Sequence, residues 1–160
     1  MIKLEANERL VAALSVPDDA PLLMVTAAGQ GIRFIPSDVR PMGRTAGGVR
    51  GIKLAPADKV VGATVASDGN TVLIGHGNAA LKRVMCADFP MQGRAGKGVR
   101  ASVVAGRYGN VNVLALVSDQ LLLYVDGEWL LFEVRMAPLV GRDAPPSKSK
   151  LLGSAITGVI

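Results

Sequence analysis

Arginine and lysine residues set among glycines are the side chains of this 160-residue chain with the most evident chemistry. One cluster runs from Gly43 to Arg50, and a second runs from Gly93 to Arg100. Guanidinium and ammonium groups bind phosphate by charge, and glycine lets backbone N–H groups approach the same anion. The pattern therefore predicts loops that bind the phosphates of a large anion.

The two clusters are copies of one repeat of fifty residues. When Phe34–Leu54 is shifted onto Val84–Val104, six of twenty-one positions coincide: Asp38, Gly43, Arg44, Gly48, Val49 and Arg50. Glu8–Ala13 matches Asp58–Ala63 at the same offset, and a weaker third copy begins at Pro138 with a spacing of forty-eight. A period of this length is typical of propeller-like arrays.

Short apolar segments bounded by Gly, Asp and Asn indicate the elements that position these loops. They lie at 22–25, 71–74, 111–117 and 121–125, and they are typical of buried strands. The turn sequences at 27–31, 68–71 and 125–129 predict antiparallel hairpins. Nineteen glycines and nine prolines oppose long helices. We therefore predict an all-β, propeller-like fold with about four strands and fifty residues in each of about three blades; a sandwich or a β-solenoid is the alternative.

The predicted organisation is a single repeat domain over residues 1–160. Its repeats span approximately 1–21 (the tail of a blade), 22–70, 71–119 and 120–160. Stacked repeats bring equivalent positions to one rim, so the basic loops are expected to form a belt.

The charge distribution supports this belt more strongly than the net charge of +5 does. Windows 33–53, 82–107 and 135–150 hold fifteen of the eighteen basic residues but only three of the thirteen acidic ones. A basic belt is the electrostatic signature of a protein that binds a phosphate backbone. Phe89 is the only aromatic residue near the basic loops of the first two copies, which argues against base stacking and favours duplex over single strands. The predicted DNA-binding residues are Arg33, Arg40, Arg44, Arg50, Lys53, Lys82, Arg83, Gln92, Arg94, Lys97 and Arg100.

The sequence offers little for catalysis or for a cofactor. Arg107–Tyr108 is the only arginine–tyrosine pair, and it lies in a predicted turn without clustered carboxylates. The single histidine, His76, is predicted to lie in a loop, and the single cysteine, Cys86, to be a small buried hydrophobe. We therefore predict no metal, no cofactor and no enzymatic activity of its own. Neither a membrane span nor a signal peptide is visible, which predicts a cytoplasmic location.

The segment Ile32–Val65 resembles a repeat of the C-terminal domain of the A subunit of bacterial DNA gyrase, and it is similar to the corresponding domain of topoisomerase IV. The motif Gly43–Ile52, GRTAGGVRGI, carries the resemblance. It implies a β-pinwheel, a propeller relative whose blades exchange strands, with a basic rim that bends or wraps duplex DNA without strong sequence preference. It also implies an accessory role in DNA supercoiling at the bacterial nucleoid, in partnership with the catalytic part of the gyrase polypeptide and with the ATPase subunit.

One motif keeps several alternatives open. Gln92–Gly98 reads QGRAGKG and matches five of the seven residues of the gyrase box Q-R-R-G-G-K-G, with Gly93 and Ala95 departing from it. Wrapping or only bending, and gyrase or topoisomerase IV, fit this degenerate box equally well. With about three blades, the chain is expected to be part of a longer subunit or a short relative, and strand exchange, an open crescent or self-association would cover its edges. The alternative function is a protein-interaction module whose affinity resides near Leu121–Leu131.

Overall fold

The fold was obtained as a computed structural model, which describes residues 4, 6–43, 46–77, 80–102, 109–117, 120–125, 128–133, 136–139 and 150–154. The described part contains β-strands and two short 3-10 turns, at Pro36–Asp38 and Cys86–Asp88. The predicted all-β class is therefore confirmed. Every pairing between the strands is antiparallel.

The first sheet takes three strands from the first copy of the repeat and one from the second. Its members are β1 (Leu22–Thr26), β2 (Gln30–Phe34), β3 (Val60–Val65) and β6 (Val99–Arg100), in the order β3-β1-β2-β6. Because β6 comes from the second copy, the two copies are joined by an exchanged strand. Its register places Arg100 opposite Gln30 and Val99 opposite Gly31.

The second and third sheets contain three strands each. The second consists of β4 (Thr71–His76), β5 (Leu81–Met85) and β7 (Val111–Val117), in the order β5-β4-β7. The third consists of β8 (Gln120–Val125), β9 (Glu128–Glu133) and β10 (Lys150–Ser154), in the order β10-β9-β8. Among the described residues, the first sheet thus has the four strands predicted for a blade, and three strands of each of the other two sheets are described.

The core lies between the first two sheets. Leu23 and Val25 of β1 pack with Ile74 of β4, with Val84 of β5 and with Phe89, and all five are essentially inaccessible to solvent. Burial of such side chains contributes about 1.5–3 kcal/mol each. Phe89 follows the second 3-10 turn and packs against Gly31. A Cβ on Gly31 would lie 2.7 Å from a ring carbon of Phe89. The core therefore fixes the basic loop that starts just after Phe89.

Two turn predictions have different outcomes. The turn at 27–31 joins β1 to β2 in one hairpin, as predicted, with Gly29 at a φ of +77°. The segment 68–71 does not form a hairpin, because it connects β3 of the first sheet to β4 of the second. Asp-Gly specifies a tight reversal but not which strands pair across it. The third predicted hairpin agrees with the antiparallel pairing of β8 and β9, in which Val125 lies opposite Glu128. Residues 126–127 between these strands lie outside the described residues.

Candidate nucleic-acid interface

Five predicted contact residues present their charges to solvent. They lie before, within or just after the two basic loops, and they are Arg40, Arg50, Lys53, Lys97 and Arg100. Within the described residues, these five side chains donate no hydrogen bond and form no ion pair. Their cationic groups are therefore available to an external anion.

The two basic loops contact each other through their backbones. The N–H of Ala95 donates to the carbonyl of Gly51 at 2.6 Å, and the N–H of Lys53 donates to the carbonyl of Gly96 at 2.8 Å. These bonds join the end of the first loop to the middle of the second. The exposed cations of both copies consequently lie on one continuous surface, which we call the joined loops (residues 40–53, without 44 and 45, and 92–100).

Arg94 holds the joined loops together and is only half-exposed. Its Nε donates to the carbonyl of Asp38 at 3.0 Å, and one terminal nitrogen donates to the carbonyl of Arg50 at 3.3 Å. Both acceptors belong to the first copy. The guanidinium therefore positions the loops with some of its donors and adds its charge to the surface.

Two equivalent glycines show how the second loop is seated. Gly48 and Gly98 have φ values of +76° and +71°, in the left-handed region that favours glycine. A Cβ on Gly98 would lie 2.3 Å from the carbonyl oxygen of Gly31, whereas a Cβ on Gly48 would meet nothing within 4 Å. The second loop thus lies directly on β2, whereas no described atom lies within 4 Å of the same position in the first loop.

Three predicted contacts are buried, and the structure does not support them as DNA contacts. Arg33, Lys82 and Arg83 have relative exposures of 4%, 3% and 9%. Arg33 pairs with the exposed carboxylate of Asp68 and donates to the carbonyl of Phe89 at 3.4 Å. The physical reason for the discrepancy is that Arg33 on β2 and Lys82 and Arg83 on β5 are buried, so they bind groups of their own chain.

The other two buried cations tie the second sheet to later segments. Arg83 Nε donates to the Met136 sulphur at 2.8 Å. Lys82 Nζ donates to the carbonyls of Ala101 and Leu139, at 3.2 and 3.1 Å. Burial lowers the pKa of Lys82, and the nearby charge of Asp88 partly offsets this effect. Lys82 is therefore a structural cation.

The remaining site predictions have mixed outcomes. Gln92 is half-buried, and its N–H donates to the carbonyl of Arg33 at 2.9 Å. Arg44, Tyr108 and the segment 141–149 of the third copy lie outside the described residues. Two exposed cations that the sequence did not single out, Arg9 and Lys59, line a groove beside the first loop. No local motif marks them, because they belong to segments that are acidic on balance.

The other candidate chemical groups are interior. His76 is the last residue of β4 rather than a loop residue, and its ring nitrogens lie 2.9 Å from Ser102 Oγ and 3.0 Å from the Gly109 carbonyl. Cys86 is fully buried, as predicted, and burial raises the pKa of its thiol to about 11. Phe89 is 1% exposed and cannot stack on a base. Within the described ranges, no group of three or more His, Cys, Asp or Glu side chains could hold a metal.

A family comparison identifies the group of proteins to which this chain belongs. The sequence model of the DNA gyrase C-terminal domain, a β-propeller, matches residues 20–67 and 80–115. The chain belongs to this family. The match begins just before β1 and takes in the first basic loop and the whole of the second.

Curated relatives of the family are much longer than this chain. The DNA gyrase A subunit of Klebsiella oxytoca is 35% identical over 145 residues, which are 89% of this chain and 17% of the relative. That of Mycobacterium bovis is 35% identical over 125 residues, which are 77% of this chain and 15% of the relative. The chain therefore corresponds to a small part of these gyrase polypeptides, namely their C-terminal accessory domain rather than their catalytic portion.

Solved structures show the same fold. The C-terminal domain of DNA topoisomerase IV superimposes with a TM-score of 0.76 at 20% identity, covering 86% of this chain and 45% of that domain. The DNA gyrase A C-terminal domain gives a TM-score of 0.74 at 23% identity, covering 96% of this chain and 54% of that domain.

The described part of the chain contains no helix with the length and hydropathy of a membrane span.

Proposed function

We propose that this chain is a non-catalytic module that binds duplex DNA and bends it for a type II topoisomerase. The joined loops carry the proposal, because they place exposed cations from two repeats on one surface. Phosphate contacts of this kind position a duplex without reading its sequence. The proposed partners are the catalytic part of a type II topoisomerase and its ATPase subunit, in the bacterial cytoplasm at the nucleoid.

The proposed contact set follows from exposure. It contains Arg40, Arg50, Lys53, Lys97 and Arg100, with Arg94 as the residue that positions the loops and Gln92 as a half-buried neighbour. Arg44 stays in the proposal from its place in the repeat alone. Five phosphate contacts imply a slope of log affinity against log salt of about −4.5, and a loss of about 500-fold between 50 and 200 mM salt.

Bending rather than complete wrapping is the action that two joined loops support. Bending a short duplex costs about 1–6 kcal/mol, which the contacts must offset. A row of cations from only two copies follows a short arc of DNA. The degenerate box at Gln92–Gly98, which lacks one positive charge, favours the same choice.

The experiment compares two double variants with the parent in salt titrations of a duplex of about one hundred base pairs, a length that approaches one DNA persistence length. In Lys97→Ala/Arg100→Ala, the slope should fall in size from about 4.5 to about 2.7, because two phosphate contacts are removed. The matched control, Lys97→Arg/Arg100→Lys, keeps both charges and should keep the parent slope. The gel mobility of circularly permuted duplexes of that length reports the bend.

Two results would count against the proposal. An alanine variant that retains the parent slope and bend shows that the joined loops do not contact DNA. No binding by the parent at low salt favours the alternative, a protein-interaction module with affinity near Leu121–Leu131. Of those residues, 121–125 lie in β8 and 128–131 lie in β9.

A further inference from the structure

Two exposed cations outside the joined loops occupy equivalent positions of the repeat. Arg9 and Lys59 coincide at the fifty-residue offset, and each follows an acidic residue, Glu8 or Asp58. Both side chains are exposed, and within the described residues neither donates a hydrogen bond or forms an ion pair. The repeat therefore presents a second set of cations to solvent, separate from the glycine-rich loops.

The acid that precedes Lys59 does not pair with its ammonium group. Asp58 Oδ1 accepts the N–H of Ala28 at 2.9 Å and the N–H of Lys59 at 2.8 Å, so backbone amides hold this carboxylate. Glu8, the acid that precedes Arg9, already has an interaction partner in the protein. The charges of Arg9 and Lys59 are therefore available to an external anion.

Both cations line one groove together with the first basic loop. The groove has a volume of about 890 Å³, and the loop contributes Gly43, Gly47 and Gly48 to its lining beside Arg9 and Lys59. A Cβ on any of these three glycines would meet nothing within 4 Å among the described atoms. Glycine lets backbone N–H groups approach an anion closely. The groove thus combines two cationic side chains with a backbone that a phosphate can reach.

The groove is continuous with the joined loops, because residues 42, 43 and 46–48 belong to both. In the part of the chain that the structure describes, every exposed lysine and arginine side chain lies either in the joined loops or along this groove: Arg9, Arg40, Arg50, Lys53, Lys59, Lys97 and Arg100. A long polyanion that crosses the joined loops therefore meets further cations in the groove.

We propose that this groove receives one sugar–phosphate strand of the duplex, with Arg9 and Lys59 on its phosphates. This assignment rests on the proposed function and adds to it a path for the DNA, which continues from the first loop into the groove. Much of the remaining lining is apolar, and it can contact the C–H groups of the sugars between the phosphates: Leu4, Val11, Met42 and Leu54. Continuity with the joined loops favours DNA over an acidic peptide as the occupant.

Salt titrations with the same duplex test the two cations. Seven phosphate contacts would give a slope of about −6.3, compared with about −4.5 for the five contacts of the joined loops alone. Arg9→Ala/Lys59→Ala should reduce the size of the slope by about 1.8, because two contacts are removed. The matched control, Arg9→Lys/Lys59→Arg, keeps both charges and should keep the parent slope. An alanine variant that is folded by circular dichroism and keeps the parent slope overturns the proposal and favours an acidic peptide.

A photo-cross-linker placed in the groove tests the contact directly. Leu54 lines the groove and is 42% exposed, whereas Leu116 lies in β7, outside the lining, and is 45% exposed. Leu54→Cys and Leu116→Cys are each labelled with an aryl azide, while the native Cys86 stays buried. The label at position 54 should cross-link the duplex, and the label at position 116 should not. No cross-link from position 54, or equal cross-linking from both positions, overturns the proposal.

The variants of the joined loops separate a failure of this proposal from a failure of the proposed function. If Lys97→Ala/Arg100→Ala lowers the slope and Arg9→Ala/Lys59→Ala does not, the duplex crosses the joined loops without entering the groove, and the groove proposal alone is overturned. If the parent binds no DNA at low salt, both proposals are overturned together.

Discussion

The exchange of β6 between the first two repeats can be tested by changing one glycine at a time. Gly98→Ala adds a methyl group to the residue that precedes β6. Gly48→Ala makes the same change at the equivalent position of the first copy. The two glycines share the same φ within a few degrees but differ in what lies beside them.

The expected effects differ because only Gly98 lies against a backbone. Both substitutions place an L-residue at positive φ, which costs about 1–2 kcal/mol. At Gly98 the new Cβ would also lie 2.3 Å from the carbonyl oxygen and 2.8 Å from the carbonyl carbon of Gly31. Relief of this clash requires β6 to separate from β2, and each lost hydrogen bond adds about 0.5–1.5 kcal/mol. We expect a loss of roughly 3–4 kcal/mol for Gly98→Ala and about 1–2 kcal/mol for Gly48→Ala.

Urea unfolding followed by circular dichroism measures the two losses. Hydrogen exchange provides a local readout, because the N–H of Ala101 donates to the carbonyl of Gly29 at 2.8 Å next to the exchanged strand. That amide should exchange faster in Gly98→Ala and remain protected in Gly48→Ala. Equal losses of stability, or unchanged protection of Ala101 in Gly98→Ala, would refute the reasoning about how the second loop is seated.

Three further substitutions or measurements test single side chains. Arg94→Lys should lower the free energy of unfolding by about 1 kcal/mol, because it loses hydrogen bonds to two carbonyls, but it should keep the DNA salt slope. Lys97→Ala should keep the free energy of unfolding and reduce the salt slope. A reduced slope in Arg94→Lys would contradict this division of roles. The pKa of Lys82 is lowered on folding, so the unfolded state holds this proton more tightly and the parent should gain stability as pH rises towards 10.5. Lys82→Met should lose this gain, and parallel stability curves would contradict it. Because the pKa of Cys86 is raised from 9.0 to about 11, alkylation at pH 8 should be at least about a hundredfold slower in the native protein than in urea, and equal rates would contradict the burial.

Much of the fold could be predicted because its signals are local and repeated. The apolar segments and the turn at 27–31 depend on neighbouring residues only, and the period presents each signal twice. The failure at 68–71 has the opposite cause, since the choice of sheet for β3 and β4 depends on distant partners. The prediction of a loop at His76 is wrong for a similar reason, because its partners Ser102 and Gly109 lie far along the chain.

The candidate site was predictable in its charge and less so in its geometry. Counting cations in a window treats Arg33 and Lys97 alike, although the first is buried in β2 and the second is exposed. The apolar neighbours of Arg33 in the sequence IRFI are the signal that could have separated them. The role of Arg94 could not have been read from sequence, because its acceptors are backbone carbonyls of another repeat.

The exchanged strand also puts the units of sequence and the units of structure out of phase. A cut at residue 70 falls between the first copy and the second, but β6 of the second copy still pairs with β2 of the first across the cut. Nicked halves should therefore remain associated. In the described residues, the first copy supplies the edge that receives a strand and the second copy supplies that strand, so the boundary between the repeats is not a boundary between independent sheets.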